Sequence, residues 1–261
     1  MSRQISPQAF VNEDAIIGDG VTIEAFAYVG ANVKIGDRTW VGPNANILER
    51  TTIGADCKIY PGAVIGAVPQ DLKFADEPTD VVIGNRTSIR ECVTIHRATV
   101  DRHKTVVGDD CLIMAYVHLA HDVHVGNNVI IANAVNIAGH CTIEDHAIIE
   151  GMVGVQQFIR IGSHSFIAGG SLVRKNVPPY IKAAREPLAF IGVNSIGLRR
   201  RGFLQDRIQR IEDIYRTLYV QNANMSQALK VADVEFPKCE EKDLVLDFIR
   251  ESDKGIIRGP F

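Results

Sequence analysis

The sequence predicts a mainly β protein, in which a parallel β-helix of hexapeptide repeats is followed by a small α-helical C-terminal domain. Two observations carry this prediction. An aliphatic residue recurs at every sixth position through most of the stretch from Ile5 to Val173, and this period disappears after Val177-Pro-Pro-Tyr180. We therefore expect residues 1–180 to form the β-helix and residues 190–261 to form the helical domain.

The repeat has two apolar positions. Ile, Val or Leu occupies the six-residue series 5 to 65 and 83 to 173, and only Asp101 interrupts it. A small or β-branched residue, such as Cys57, Cys111 or Cys141, stands two positions before the aliphatic one. Both point inward on a short strand, because side chains alternate along a strand. Three such hexads make one coil, and nine coils give a prism on the order of 40 Å tall.

Glycine often follows the aliphatic residue, for example at Gly18 and Gly36, where we expect the corner to need backbone freedom. These hexads resemble those of the left-handed parallel β-helix family. The left hand of the coil is implied by this resemblance, and it departs from the usual right-handed crossover.

Two polar stretches interrupt the repeat. We expect excursion loops near residues 67–82 and 101–104, where binding residues on a rigid scaffold concentrate. In the C-terminal domain an apolar stripe, including Leu204, Ile208 and Ile211, predicts a helix over residues 204–219. Two more amphipathic helices are expected near residues 225–234 and 241–251.

Composition excludes several classes. A net charge of −3 gives no global attraction to nucleic acid or anionic membranes. No signal peptide or transmembrane segment is recognisable, so we expect a cytoplasmic protein. The five cysteines include no CxxC pair, which argues against a disulfide framework.

The histidines indicate a site. With three hexads per coil, His121, Gly139 and Gln157 should form a vertical column, with His140 beside it and His118 on the preceding strand. A histidine near a carboxylate, here Asp122, suits general-base chemistry because its pKa lies near neutrality. Gly139 offers an unobstructed N–H for a developing oxyanion. His146 and His164, which are also one coil apart, are expected to be an exposed stacked pair.

Zinc is the rival interpretation, because γ-class carbonic anhydrases hold a catalytic metal on an imidazole-rich β-helix. That family pairs histidines four residues apart with another on a different hexad. The spacing His118-xx-His121-xx-His124 does not match it, so no metal site is predicted.

Five motifs in order resemble the acyl-carrier-protein–UDP-N-acetylglucosamine O-acyltransferase family, which performs the first step of lipid A synthesis. They are Gln70-Asp71-Leu72-Lys73, Ile89-Arg-Glu-Cys-Val-Thr-Ile-His-Arg97, His118-Leu-Ala-His121-Asp122, Ala138-Gly139-His140 and Asn194-x-x-Gly197-Leu-Arg-Arg-Arg201-Gly-Phe203. The similarity covers nearly the whole chain.

The resemblance implies direct attack of the glucosamine 3-hydroxyl on an acyl thioester. His121 would be the general base, Asp122 would orient it, and the Gly139 N–H would stabilise the oxyanion. The residues implied for the nucleotide-sugar and acyl site are Gln70, Asp71, Lys73, His118, His140 and Gln157, with Asn194, Arg200 and Arg201 towards the uridine diphosphate. Acyl carrier protein and UDP-N-acetylglucosamine are the implied partners, in a homotrimer without a cofactor.

Two departures from the family pattern stand out. Gln156 replaces the usual histidine beside Gln157, and Ile196 stands where an acidic residue is expected. The alternatives left open are the related N-acyltransferase of an acylated nucleotide sugar, a zinc hydro-lyase and a non-catalytic scaffold. Acyl chain length and a 3-hydroxyl or 3-amino acceptor also stay open.

Overall fold

The computed structural model describes residues 2–222 and 224–259. Short strands succeed one another along the chain as β1 (Gln4–Ile5), β2 (Phe10–Val11), β3 (Ile16–Ile17), β4 (Thr22–Ile23), β5 (Tyr28–Val29), β6 (Lys34–Ile35), β7 (Trp40–Val41), β8 (Asn46–Ile47), β9 (Thr51–Ile53), β10 (Lys58–Ile59), β11 (Val64–Ala67), β12 (Asp80–Ile83), β13 (Ser88–Ile89), β14 (Thr94–His96), β15 (Lys104–Val107), β16 (Leu112–Ile113), β17 (His118–Leu119), β18 (His124–Val125), β19 (Ile130–Ile131), β20 (Asn136–Ile137), β21 (Thr142–Ile143), β22 (Ile148–Ile149), β23 (Gly154–Val155), β24 (Arg160–Ile161), β25 (Phe166–Ile167), β26 (Leu172–Val173), β27 (Ile181–Ala184) and β28 (Ala189–Val193).

Every third strand joins the same sheet, so the chain winds around a triangular prism. Sheet 1 runs β1-β4-β7-β10-β13-β16-β19-β22-β25, sheet 2 runs β2-β5-β8-β11-β14-β17-β20-β23-β26, and sheet 3 runs from β3 to β24. The pairing is parallel with a step of three hexads, as between Lys34 and Thr52. The predicted coil length is confirmed, and so is the fold class.

Two loops lengthen particular coils. Val64 on β11 pairs with Thr94 on β14, thirty residues later instead of eighteen, so the first loop (residues 68–79) adds twelve residues. Asp80 on β12 pairs with Lys104 on β15, twenty-four residues later, so the second loop (residues 97–103) adds six. Both loops leave the prism and return to it with the inward face unchanged.

The interior is a continuous aliphatic column. From Ile17 onwards, the recurring aliphatic side chains and the small residues beside them are buried, whereas Ile5 is exposed and Val11 is partly buried at the N-terminal end of the prism. The thiols of Cys57, Cys111 and Cys141 lie in this column, where burial raises their pKa values, to about 11 for Cys111 and Cys141. These three cysteines are core residues, not reactive thiols.

The corners differ from the sequence-based expectation in one respect. The left-handed backbone falls three residues after the aliphatic position, where non-glycine residues such as Asn32 and Arg38 adopt it. The glycines that directly follow the aliphatic residue serve another purpose. A Cβ at Gly36 would lie 2.5 Å from the carbonyl carbon of Gly54, so glycine is needed there for the close stacking of coils.

The C-terminal end of the prism is covered by the rest of the chain. Strand β27 continues sheet 1 and forms an antiparallel hairpin with β28. Helices α1 (Ser195–Arg200), α2 (Gln205–Arg216), α3 (Met225–Glu235) and α4 (Glu240–Arg250) follow, with a π-helical turn (Thr217–Gln221) continuing α2. The Tyr215 hydroxyl donates to the Pro179 carbonyl (2.6 Å), which fixes α2 to the prism. Among the helices of residues 2–222 and 224–259, none has the length and apolar character of a membrane-spanning segment.

Candidate active site

The corner between sheets 2 and 3 holds the column predicted from coil length. His121, Gly139 and Gln157 follow one another on successive coils. The backbone N–H of His140 donates to the His121 carbonyl (3.1 Å), and that of Phe158 donates to the Gly139 carbonyl (3.1 Å). We call His121, Asp122, Gly139, His140 and Gln157 the histidine corner.

His121 has a buried imidazole with two distinct nitrogens. Its Nδ1 lies 2.8 Å from Oδ2 of Asp122, and its Nε2 lies 4.0 Å from Oδ2 of Asp71. Because an ionised carboxylate can only accept hydrogen bonds, the short contact assigns the proton to Nδ1. The lone pair of Nε2 is then free, which is the state that a general base requires.

Asp122 is fully buried and surrounded by donors. Its carboxylate accepts the N–H groups of Thr99 (3.1 and 3.2 Å) and Arg102 (3.1 Å) and the Thr99 hydroxyl (2.7 Å). Burial alone would raise the pKa of Asp122, but the hydrogen bonds from His121, Thr99 and Arg102 together hold that pKa below its ordinary value. Asp122 is therefore an anion beside His121.

Gly139 faces the His121 ring without a side chain between them. A Cβ at Gly139 would lie 2.6 Å from Cε1 and 2.7 Å from Nε2 of His121. Within residues 2–222 and 224–259, the Gly139 N–H donates no hydrogen bond. An unengaged N–H close to a histidine base is the arrangement that binds a developing oxyanion.

A second pair of histidines flanks the corner on sheet 2. His118 Nδ1 lies 2.8 Å from the Thr94 hydroxyl, and its ring meets the His96 ring edge-on at 4.8 Å. Burial, followed by the repulsion of neighbouring histidines, lowers the pKa of His118 and brings that of His96 to about 4. Both imidazoles are neutral near neutral pH. Nothing in the hexad pattern indicated that His96 belongs here, because β14 directly precedes the second loop.

The first loop brings three expected residues towards the corner. Gln70 lines the same cavity as His121, whereas Asp71 and Lys73 line a smaller adjoining cavity with His140. The loop is fixed by Arg97, whose side chain is 5% exposed and whose guanidinium lies 3.0 Å from Asp76 and 3.4 Å from Glu49. Arg97 also lies over the Phe74 ring.

His140 closes the corner on the side of the second loop. Its Nδ1 lies 2.8 Å from the Asp101 carboxylate, and its ring stacks on Phe158 at 4.5 Å. One possible ligand atom from each of His121, Asp122 and His140 lies within 4.8 Å of the other two, which is close enough for a shared cation. Because Oδ2 of Asp122 is already occupied by His121 Nδ1 and the Thr99 hydroxyl, we do not assign these residues as metal ligands.

A cavity of about 550 Å³ runs from the histidine corner along sheet 2. Its lining includes His118, Asn136, Gly154, Gln157 and Leu172. This size lies within the range of ligand-binding sites in proteins. The absence of a side chain at Gly154 widens the groove between Asn136 and Leu172, which precede and follow it on sheet 2.

Three expected residues lie elsewhere. Asn194 is buried, caps α1 by accepting from the Gly197 N–H (3.3 Å), and donates to the His164 carbonyl (3.0 Å). Arg201 donates to the His146 carbonyl (2.8 Å), and Arg200 is exposed beside it. These contacts place the group at the corner between sheets 3 and 1, so one chain does not unite it with His121.

At this corner between sheets 3 and 1, the guanidinium of Arg201 is partly buried. No carboxylate in residues 2–222 and 224–259 pairs with Arg201, burial lowers the pKa of its guanidinium, and its Nη1 is buried without a hydrogen bond. His146 and His164 stack there at 4.6 Å, as expected. The expectation that this pair is exposed is wrong, because both rings are partly buried and Phe203 packs against His164. Such a guanidinium is suited to an anionic ligand.

Comparison with known sequences gives consistent matches. A family profile described as UDP N-acetylglucosamine O-acyltransferase, domain 2, matches residues 176–257. A profile for bacterial transferase hexapeptides matches residues 32–67 and 104–139. A relative from Paraburkholderia phymatum, named acyl-[acyl-carrier-protein]–UDP-N-acetylglucosamine O-acyltransferase, is 46% identical over 264 residues, covering 99% of this chain and 100% of the relative.

Solved structures agree with these matches. A UDP-N-acetylglucosamine acyltransferase from Bacteroides fragilis superposes with a TM-score of 0.95 at 46% identity, covering 97% of this chain and 99% of that one. The Francisella novicida enzyme of that name gives 0.94 at 36% identity, with 98% and 95% coverage. The Arabidopsis enzyme gives 0.80 at 32% identity, with 97% and 100% coverage.

Proposed function

This chain belongs to the family of acyl-[acyl-carrier-protein]–UDP-N-acetylglucosamine O-acyltransferases, and we propose how its own residues carry out the transfer. The reaction moves a (3-hydroxy)acyl chain from the thioester of acyl carrier protein to the 3-hydroxyl of UDP-N-acetylglucosamine, the first step of lipid A biosynthesis. The observation that carries the proposal is the histidine corner, where a buried His121–Asp122 pair faces the free N–H of Gly139 beside an open groove.

His121 acts as the general base. Nε2 takes the proton of the sugar 3-hydroxyl as its oxygen attacks the thioester carbonyl carbon, and the Gly139 N–H donates to the resulting oxyanion. A C–O ester bond forms, the C–S bond breaks, and the imidazolium gives its proton to the departing thiolate. Asp122 keeps the proton on Nδ1 and stabilises the transient imidazolium. No nucleophilic cysteine or serine takes part, and we propose no metal and no cofactor.

The remaining site residues bind the substrates. Gln70, Asp71 and Lys73 on the first loop, together with His118, His140 and Gln157, surround the glucosamine and the acyl thioester. Arg200 and Arg201, held by the α1 cap at Asn194, bind the uridine diphosphate through their planar guanidinium groups. The carrier protein delivers the thioester from the cytoplasm to the groove along sheet 2.

We propose a homotrimer in which each site lies between two copies. The outward face of sheet 1 supports it, because Leu112, Ile130, Ile148 and Phe166 are consecutive cross-strand partners and form an apolar stripe. Such a stripe suits a self-association surface. A neighbouring copy would also bring its Arg201 to this chain's His121, which one chain alone does not do.

The direct test is acyl transfer by the purified full chain. Acyl carrier proteins loaded with acyl chains of increasing length are offered with UDP-N-acetylglucosamine, and mass spectrometry of the product gives donor length and the acylated position. We expect His121→Ala to lower kcat/KM by about 10² to 10⁴. Near-normal transfer by that variant would refute the base. His124→Ala is the matched control, because His124 faces outward on sheet 3 and contacts the Lys104 carbonyl.

The same assay separates the alternatives. An N-acyltransferase would instead acylate the amine of an already acylated nucleotide sugar, and a 3-amino sugar nucleotide tests the acceptor atom. Stoichiometric zinc in the purified protein, with loss of transfer on chelation, would favour the metal alternative. Absence of UDP-N-acetylglucosamine binding by calorimetry would favour a non-catalytic scaffold.

A further inference from the structure

We propose that Thr99, on the second loop, is a positioning residue that holds Asp122 in the orientation and charge state that His121 needs. The inference deepens the proposed function and rests on His121 being the base. This role gives a function to the six residues that the second loop adds to its coil.

The contacts are concentrated on one carboxylate. Oδ2 of Asp122 accepts the Thr99 hydroxyl at 2.7 Å and faces His121 Nδ1 at 2.8 Å, so the same oxygen serves both groups. The Thr99 N–H reaches both carboxylate oxygens (3.1 and 3.2 Å), and the Arg102 N–H reaches Oδ1 (3.1 Å). With four donor groups, the carboxylate has one orientation available to it.

The second loop is itself anchored around Asp122. The Arg102 guanidinium donates to the carbonyls of Asp122 (3.1 Å) and Cys141 (3.4 Å) and to the Thr142 hydroxyl (3.2 Å). The Asp122 N–H donates to the Thr105 hydroxyl (3.0 Å), on the strand that follows the loop. The loop and the carboxylate therefore form one hydrogen-bonded unit, and Thr99 is its link to the reacting histidine.

The Thr99 hydroxyl has a specific electrostatic effect. By donating to Oδ2, it withdraws negative charge from the oxygen that stabilises protonated His121. Loss of this bond leaves Oδ2 a stronger partner for the imidazolium and removes one of the four donors that orient the carboxylate. The base then holds its proton to higher pH and is less well aimed, so turnover falls while the substrates still bind.

Several other charged and titratable groups face His121, and a substitution of Thr99 leaves them in place. Asp71 comes from the first loop, His140 comes from the next coil, and Asp101 faces His140. His96 and His118 come from sheet 2, and Arg102 lies behind Asp122. A change confined to Thr99 leaves all of them unaltered.

The test compares Thr99→Val with Thr99→Ser in the purified full chain. We expect Thr99→Val to lower kcat about tenfold or more, because one charge-assisted hydrogen bond is lost. KM for UDP-N-acetylglucosamine should change less than twofold, and the acid limb of the kcat/KM–pH profile should move to higher pH. Thr99→Ser keeps the hydroxyl and should restore both kcat and the profile.

Two further measurements distinguish this positioning role of Thr99 from a general effect on the fold. Thr87→Val removes another buried prism hydroxyl, which bonds the Gly108 carbonyl and the Cys111 N–H far from the histidine corner, and should leave the pH profile unchanged. ¹⁵N spectra of the histidine rings should show the Nδ1-protonated form of His121 in the wild type, and in Thr99→Val this form should give way to the doubly protonated ring at higher pH than in the wild type.

The outcomes are distinct. A fall in kcat with an unmoved or lowered acid limb, or no rescue by Thr99→Ser, would show a merely structural role and overturn the inference. Wild-type behaviour of Thr99→Val alongside an inactive His121→Ala would overturn it while leaving the proposed function intact. Activity of His121→Ala would remove the proposed function itself.

Discussion

At the scale of single residues, the candidate site depends as much on the absence of a side chain at Gly139 as on the imidazole of His121. Glycine is required there by contact, not by backbone conformation, because its φ is not in the left-handed region while a Cβ would overlap the imidazole. The imidazole and the N–H thus share a space that no side chain can enter.

Gly139→Ala should displace the His121 ring and move the donor N–H from the oxyanion position. We expect kcat to fall by about 10² to 10³, the range found when one oxyanion donor is lost, with the thermal midpoint little changed. Gly151→Ala is the matched control, since a Cβ there meets only the Asn133 carbonyl oxygen at 3.3 Å. Equal activity of the two variants would contradict the role of Gly139. The measurement is steady-state kinetics with a thermal melt of each variant.

At the scale of elements, the two loops convert a repetitive prism into a site. Gln70, Asp71 and Lys73 lie on the first loop, and Thr99 and Arg102 lie on the second. Neither loop has regular secondary structure, so each depends on side-chain anchors. Arg97, which is buried between Glu49, Asp76 and Phe74, is the anchor of the first loop.

Arg97→Met should release the first loop while leaving the prism folded. Methionine can fill the apolar part of the space but not the two ion pairs or the contact with the Phe74 ring. We expect hydrogen exchange over residues 68–79 to accelerate and kcat/KM to fall by about tenfold to a hundredfold, by loss of substrate positioning. The control Arg86→Met breaks exposed pairs with Asp109 and Asp110 and should change neither, because exposed pairs contribute little.

The limits of sequence reasoning follow from these same loops. Wherever a coil consists of three hexads, stepping three hexads along the sequence reaches the vertical neighbour, which places Gly139 and Gln157 over His121. Across the loops this arithmetic fails, so the contacts of Thr99 with Asp122 and of Arg97 with Glu49 could not be computed. The left-handed corner position also accepts many residue types, and for this reason the sequence pattern does not reveal it.

His164, at the corner between sheets 3 and 1, leads to a prediction about how the stability of the fold depends on pH. Burial first, and then the charges of His146 and Arg201, lower the pKa of His164 to about 4. The unfolded chain binds a proton at this residue near pH 6.5 while the folded chain does not, so stability should fall as pH drops from 6.5 towards 4. The lost stability at pH 5 is about 1 kcal/mol for this residue, after allowance for its partial exposure.

His164→Phe should flatten this pH dependence. Phenylalanine can keep the stacking between His146 and Tyr180, and Phe158 shows that the left-handed corner accepts it. The measurement is urea unfolding at pH 7.5 and pH 5 for both proteins. His103→Phe alters an exposed histidine with the same backbone conformation and should leave the slope as it is in the wild type. An unchanged slope in His164→Phe would contradict the prediction.

At the scale of the whole molecule, the site residues occupy two different edges of one prism. His121 lies between sheets 2 and 3, whereas Asn194 and Arg201 lie by the His146–His164 edge between sheets 3 and 1. Such a division is productive only if copies of the chain stand side by side. The location of these residues therefore supports the proposed trimer, as does the apolar stripe on sheet 1.

Mixed trimers test whether sites are shared. His121→Ala and Arg201→Ala chains, each of low activity alone, are unfolded and refolded together or co-expressed with different tags. In a cyclic trimer containing both variants, one site combines an intact His121 with an intact Arg201 from its neighbour, so about a third of normal activity should return. If both residues act within one chain, no mixed trimer regains activity.

Ile148→Glu should dissociate the assembly in sedimentation velocity experiments.

The lengths of the two loops have a consequence for how this protein can change size. Twelve and six added residues are whole multiples of the hexad, so the chain resumes winding in phase after each. A single deletion within a coil would instead turn core side chains out to solvent over the following strand. Insertions and deletions in descendants of this gene should therefore fall within residues 68–79 and 97–103, or arrive as complete turns of the solenoid. Within the prism itself, only the gain or loss of complete coils keeps the core side chains facing inward.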